Sequence, residues 1–298
     1  LHLAQNMHGK TIGVSIKDRS AILPAGHTAN AAYWYDGGNF NTWITSTFYM
    51  NELPKWVKNF NSNNNADNYL NEGWETLYDI KSYSNSRNDD NIFEGKITGQ
   101  KAPTFPKNLK SLRTKNGNFD LIKMVPAGNT LTADFAKAAI IGENLGKSDY
   151  TDFLAVSFSS TDYIGHKYGV SAIETEDTYL RLDKDLADFF QFLDKQVGKD
   201  NYTLFLTADH AAVHVPAYLQ SLKIPAHYLN HKKFRNFILE ITKKYFNSIE
   251  LIENVSNYQI FLNKEKVESL GLDLNTVAQK LADEVVSYNE IYKAVTAR

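Results

Sequence analysis

Asp162 and His166 stand four residues apart in "SSTDYIGH", directly after the apolar run "TDFLAVSF". Asp209 and His210 close "YTLFLTADH" in the same way, at the end of a second apolar run. Carboxylate oxygen and imidazole nitrogen are ligand types that suit Zn²⁺ where no thiolate is available. Two such pairs can each supply part of one metal's shell, and two metals together can clamp the attacking and leaving oxygens of a phosphoryl displacement. A third apolar run, "TIGVSI", ends in Lys17 and Arg19. If that segment stays extended, the two cations share a face and can bind phosphate oxygens, Arg19 by a bidentate fork. Taken singly, each residue has an ordinary reading as well: an Asp after a strand caps a turn, a His satisfies a hydrogen bond, and a charge meets water.

The elements that must position these residues are legible as a βαβ pattern. Strands are expected over 11–16, 152–158 and 202–207, with a further β candidate in "NTWITSTFY". A helix is expected from "NTLTADFAKAAIIGENLG", with Leu131, Phe135, Ala138, Ala139 and Leu145 on its inner face and Gly146 as its stop. A capping box, Ser171 with Glu174, is expected to start a long helix that buries Tyr179, Leu182, Leu186, Phe189 and Leu193 and ends at Gly198. On that helix Glu176, Asp177 and Asp183 read as the solvated face. The result is an α/β fold, a mostly parallel sheet with helices on both faces. Ligands of such sheets sit beyond the carboxyl ends of the strands. The Trp-, Tyr- and Asn-rich stretch within 33–130 reads as a cap insertion of loops and short helices, and 215–298 as a second insertion. That second stretch holds a basic amphipathic segment at 231–246, the strand candidate "NYQIFL" and the helix "NTVAQKLADEVVSY".

His214 lies four residues after His210, but Pro216 argues against the helix that a His-x3-His pair requires. His227 and His231 read as surface residues, and the aromatics Tyr33, Trp34, Tyr35, Trp43, Phe48 and Tyr49 as packing, with the lining of a substrate pocket as the alternative.

Composition bounds the class. Of 298 residues, 43% are hydrophobic, which is a globular proportion. A net charge of −2 gives no electrostatic case for nucleic acid or an anionic membrane. There is no cysteine, so thiolate nucleophiles, disulfides and Cys-type zinc sites are excluded. No stretch reaches the roughly 20 apolar residues of a membrane helix, and "LHLAQNMHGK" is no signal peptide.

Several long segments carry a resemblance: "VSIKDRSAILPAGH", "TSTFYMNELPKWV", "GNTLTADFAKAAIIGENLGKSDYTDFLAVSFSSTDYIGHKYG", "EDTYLRLDKDLADFF" and "YTLFLTADH". They resemble the phosphate-irrepressible alkaline phosphatases, close to the nucleotide pyrophosphatase/phosphodiesterase branch of that superfamily. The resemblance implies two zinc ions, one on Asp162 and His166 and the other on Asp209 and His210. It implies that Lys17 and Arg19 bind the phosphoryl oxygens of small phosphomonoesters, and that turnover passes through a phospho-threonine. It also implies a periplasmic or secreted monomer. Ala211 and Val170 depart from the glycine and proline usual at those places. The family's first zinc-binding Asp, its nucleophilic Thr and a phosphate-binding Asn lie upstream of the Lys-x-Arg motif. Only sixteen residues precede Lys17, and none fits. The family's third histidine ligand lies far downstream, whereas no histidine follows His231. The sequence therefore reads as an internal fragment truncated at both ends, whose nucleophile lies outside it. Thr28 and Thr161 are not assigned that role. The alternatives are a phosphodiesterase or nucleotide pyrophosphatase, and a non-catalytic fragment or phosphate- or glycan-binding module.

Overall fold

The computed structural model describes residues 1–38 and 40–297; Asn39 and Arg298, which fall inside the expected spans, lie outside the described residues. The chain divides into two compact units, Leu1–Val215 and Pro216–Arg298.

In the first unit, "TIGVS" is apolar enough to be buried on both sides, and Thr11–Ser15 forms strand β1 with every residue buried. Helix α1, Asp18–Ala25, follows it and returns the chain to β2, Ala31–Asp36. Strand β3 is Thr42–Ile44, and after the short helices α2 (Lys55–Asn61), α3 (Asn65–Glu72) and α4 (Leu109–Leu112) comes α5, Ala127–Gly142. Strand β4 is Phe153–Ser157, then α6, Ser160–Tyr168, and α7, Ile173–Gln196. The sheet order is β3-β2-β1-β4. β1 runs parallel to both β2 and β4, and β3 is antiparallel to β2.

Helices cover both faces, as expected. A Cβ at Gly13 would lie 2.0 Å from the Ala21 carbonyl oxygen, so α1 crosses on that face and only glycine allows the approach. Ile12 and Val14 point the other way, into a core shared with Leu131, Phe135 and Ala139 of α5. Trp43 stacks on Phe135 at 4.0 Å, and Tyr33 meets the same ring edge-on at 5.5 Å. The region expected to be an insertion thus begins inside the sheet: β2 and β3 bring Tyr33, Tyr35 and Trp43 into the core. Toward the end of β2 burial alternates, with Tyr33 and Tyr35 buried and Trp34 and Asp36 only partly so, because one face is the more covered.

Other expectations change. Residues 202–207 carry no strand: Leu204, Phe205 and Leu206 are exposed, with only Phe205 stacked on Phe153 at 6.5 Å. The capping box is not formed either; α7 is N-capped by Ala172, and Glu174 turns inward to a buried lysine. Tyr179 is exposed, and Asp177 is fully buried. α5 ends at Gly142, ahead of Gly146.

The second unit is built from α8 (Pro216–Ser221), α9 (His231–Phe246), the hairpin β5 (Ile252–Ser256) and β6 (Gln259–Leu262), α10 (Lys264–Ser269) and α11 (Leu274–Val285). Phe234, Ile238 and Ile241 of α9 meet Val277, Leu281 and Val285 of α11 in its own core. The amphipathic 231–246 segment is the helix its spacing indicates. No helix among the described residues is long and apolar enough to cross a membrane.

Candidate functional site

The register of the central strands places Ser15 opposite Ser157, so β1 and β4 end side by side. Past β1 the backbone is still extended at Lys17, which is the N-cap of α1. Arg19 already lies within that helix, so the two cations do not share a face by strand alternation. The Lys17 ammonium stands 3.6 Å from Asp162 Oδ2 and 5.5 Å from the centre of the Tyr163 ring. Arg19 is exposed.

Past β4 the chain enters α6. Asp162 sits in its first turn and His166 one turn later on the same face. His166 Nε2 lies 3.2 Å from Asp162 Oδ1, and His210 Nε2 lies 3.5 Å from the same oxygen. His210 is also 3.7 Å from Asp209 Oδ2, and its Nδ1 pairs with the Ala211 carbonyl at 3.0 Å. That carbonyl, then the Asp209 and Asp162 carboxylates, holds the His210 imidazole above its ordinary pKa. The structure therefore brings Lys17, Asp162, His166 and His210 together, with Asp209 at the rim, where its side chain is 91% exposed. Residues 209–215 have no regular structure, so no ladder fixes Asp209 and His210 as it fixes the α6 pair. His214 lies against Ser171, 3.3 Å from its hydroxyl.

The α6 N-terminus is held by groups that pattern reading passed over. Ser15 Oγ and Ser159 Oγ are 2.9 Å apart in a buried contact, and Ser15 Oγ accepts from the Lys17 backbone N–H at 3.1 Å. One hydroxyl bridge therefore joins the lysine's strand to the aspartate's helix. From α5, Asn129 Nδ2 donates to Thr161 Oγ1 at 3.0 Å. A Cβ at Gly128 would lie 2.1 Å from Ser160 Oγ, which explains the glycine in "AGNT". The available signal was the run of small hydroxyl residues in "SFSSTD".

The donor types at Asp162, His166 and His210 fit a zinc ion. Their arrangement puts both imidazoles within ion-pair distance of Asp162 Oδ1, so the two Asp–His pairs are not separate. Among the described residues no three His, Asp or Glu side chains are grouped to hold a metal ion.

Residues 9–297 match the family model of type I phosphodiesterase / nucleotide pyrophosphatase. A protein of Myroides odoratus named calcium-transporting ATPase is 52% identical over 93% of this chain and 50% of its own length. Alkaline phosphatase PafA of Elizabethkingia meningoseptica is 44% identical over 96% of this chain and 52% of its own. The crystal structure of wild-type alkaline phosphatase PafA is similar with a TM-score of 0.86 at 41% identity, covering 98% of this chain and 55% of that one. The chain spans about half the length of these relatives.

Proposed function

This chain belongs to the type I phosphodiesterase / nucleotide pyrophosphatase family, with a PafA-like fold, and we propose that it carries the phosphate-binding and part of the metal-holding share of a phosphomonoesterase site. The observation that carries this reading is the convergence of Lys17, His166 and His210 on one carboxylate, Asp162, beyond the ends of two adjacent parallel strands. A relative named alkaline phosphatase supports the reaction class.

In this reading Lys17 Nζ binds a non-bridging phosphoryl oxygen, and Arg19, exposed on the first turn of α1, reaches another by the length of its side chain. By the resemblance, Asp162 with His166 and Asp209 with His210 would hold two zinc ions, which requires the contact between His210 and Asp162 to open. Bound zinc supplies Lewis-acid charge to the oxygens of the displacement. The residues of this chain bind and orient the phosphoryl group; catalysis of this kind is mostly positioning and electrostatic stabilisation. The attacking threonine is assigned to no residue here. A periplasmic or secreted location is part of the same proposal.

The second reading, a phosphodiesterase or nucleotide pyrophosphatase, is favoured by the family description. Two cations beside the cluster favour the monoester, which carries more negative charge than a diester. The third is a binding module without turnover.

Inorganic phosphate titrated calorimetrically into the zinc-loaded chain tests the site. Lys17→Ala and Arg19→Ala are each expected to weaken binding by roughly tenfold or more, the loss of a hydrogen bond between charged groups. Asp162→Ala is expected to lower the zinc bound at dialysis equilibrium. Phosphate and zinc binding unchanged in all three variants would remove the assignment. Turnover of a chromogenic monoester by this chain is expected to be little or none; robust turnover would place the nucleophile inside it. A diester cleaved faster than the monoester, in the longer protein, would select the second reading.

A further inference from the structure

The core of the first unit holds a second set of ionisable groups that the proposed site does not use. Lys107 and Glu174 are both fully buried and ion-paired at 2.7 Å. The Lys107 ammonium also donates to the Pro103 carbonyl at 2.5 Å, and sits 4.6 Å, 5.0 Å and 5.6 Å from the ring centres of Phe105, Tyr168 and Trp74. Lys107 thus uses one oxygen of Glu174. The other, Oε2, is buried with no partner, and so are Glu94 Oε2 and the Tyr168 hydroxyl. Tyr168 is 2% exposed and Glu174 0%. Buried polar atoms are paired in the great majority of cases, so orphans gathered around one lysine call for an explanation.

They share a neighbourhood. Tyr168 and Glu94 line a cavity of about 10 Å³, whose wall also includes Arg87, Ser171 and His214. The Glu174 charge acts on both the Tyr168 hydroxyl and the Glu94 carboxyl, although Glu174 is not itself part of the cavity wall. Ten cubic ångströms is about the space one water molecule requires, given two to four polar partners.

We propose that this cavity is a specific site for one ordered water molecule, held by the Tyr168 hydroxyl and Glu94 Oε2. The water offers two donors and two acceptors, enough to satisfy both orphans of the cavity wall. It joins the 74–107 region, through Glu94, to the turn between α6 and α7. A metal cation is disfavoured. Lys107 and Arg87 already face Glu174, Glu94 and Asp89. Burial first, then the Glu174 charge, pushes the Glu94 carboxyl up to about 8, so it is neutral near pH 7 and presents a donor as well as an acceptor. His214, also in the wall, lies 3.3 Å from the Ser171 hydroxyl.

A high-resolution crystal structure of the chain, soaked with rubidium and with manganese, tests the site. The expected result is one peak within about 2.6–3.2 Å of the Tyr168 hydroxyl and a Glu94 oxygen, refining as oxygen with no anomalous signal. In Tyr168→Phe the peak is expected to vanish or shift toward Glu94. An anomalous peak, an empty cavity, or a closed cavity with Tyr168 bonded directly to either glutamate overturns the proposal. The unsubstituted structure decides these outcomes even if the variant does not fold.

Discussion

Asp177 tests whether the charges of α7 are a solvated face or an internal tie. The carboxylate is fully buried and accepts four hydrogen bonds: from Trp74 Nε1 at 2.8 Å, the Leu77 backbone N–H at 2.7 Å, the Tyr83 hydroxyl at 2.5 Å and Arg181 Nε at 2.7 Å. Three of these donors belong to the 74–83 stretch, so Asp177 fastens that stretch to the helix. Asp177→Ala removes every acceptor at once. The Trp74 indole is 3% exposed and Tyr83 6%, so water cannot replace the carboxylate without opening the packing. Arg181 is about a third exposed and recovers some solvation. Each orphaned buried donor costs about 1–3 kcal/mol, and removing one partner of a buried charged pair costs about 3–5 kcal/mol. Since the arginine is partly wet and the terms overlap, the expected loss is about 3–5 kcal/mol. Asp177→Asn keeps an acceptor but turns an amide N–H₂ toward donors, for a loss of about 2 kcal/mol. Asp183→Ala, on the exposed side of the same helix, is the control, expected within about 0.5 kcal/mol. Urea unfolding followed by tryptophan fluorescence is the assay, because Trp34, Trp43, Trp56 and Trp74 all lie in residues 1–215. A loss below about 1 kcal/mol for Asp177→Ala would refute the reasoning and restore the solvated-face reading.

Glu94→Gln is expected to flatten the pH dependence of the urea midpoint. The folded carboxyl is raised to about 8 from an ordinary 4.5, so its stabilising contribution is complete below that ordinary value and is lost as pH rises through 8; an unchanged slope between pH 6 and 9 in the variant contradicts this. Asp185, raised to about 6 chiefly by burial, loses its contribution lower in the scale and separates from Glu94 in the same titration. Lys107→Met strands Glu174 in the core and is expected to cost about 3–5 kcal/mol, whereas Lys107→Met with Glu174→Leu recovers most of the loss; equal midpoints for the single and double variants count against the pair.

Reading the sequence found the elements whose burial is local. β1 and the strand before "SSTD" are runs apolar enough to announce themselves, and the 231–246 helix carries its core face at regular spacing. It failed where the deciding partner is distant in sequence. Asp177 and Glu176 look like a helix's wet face, and Glu174 like a capping residue, until Trp74, Ser86 and Lys107 arrive from the aromatic-rich stretch, Ser86 bonding Glu176 at 2.6 Å. Charge on a helix predicts solvent only when nothing polar is delivered to it, and the delivery here spans 67 residues for Lys107 and Glu174. Residues 202–207 fail for the complementary reason. An apolar run states a need for burial; a strand also requires a neighbouring ladder, and toward β4 this run offers a ring contact, Phe205 on Phe153, in place of one.

The meeting of Lys17 with Asp162 follows from topology more than from either motif. β1 feeds α1, which crosses the Gly13 face of the sheet. β4 feeds α6, whose Ile164 and Tyr168 join the core on the Ile12 and Val14 face. Neighbouring parallel strands that send their helices to opposite faces leave a crevice between their carboxyl ends, which is where open α/β sheets bind ligands. The Ser15–Ser157 register sets the two exits level, and the Ser15–Ser159 hydroxyl contact holds them. Arg19 is one helical step past that crevice and is expected to reach a phosphate by side-chain length, not by backbone placement. A longer lever is the easier one to replace. Arg19→Lys is therefore expected to retain more phosphate affinity than Lys17→Arg, whose planar fork has to fit beside Asp162 and over Tyr163. The reverse order in the same calorimetric titration would mean that the guanidinium's bidentate geometry, and not its reach, is what the site uses.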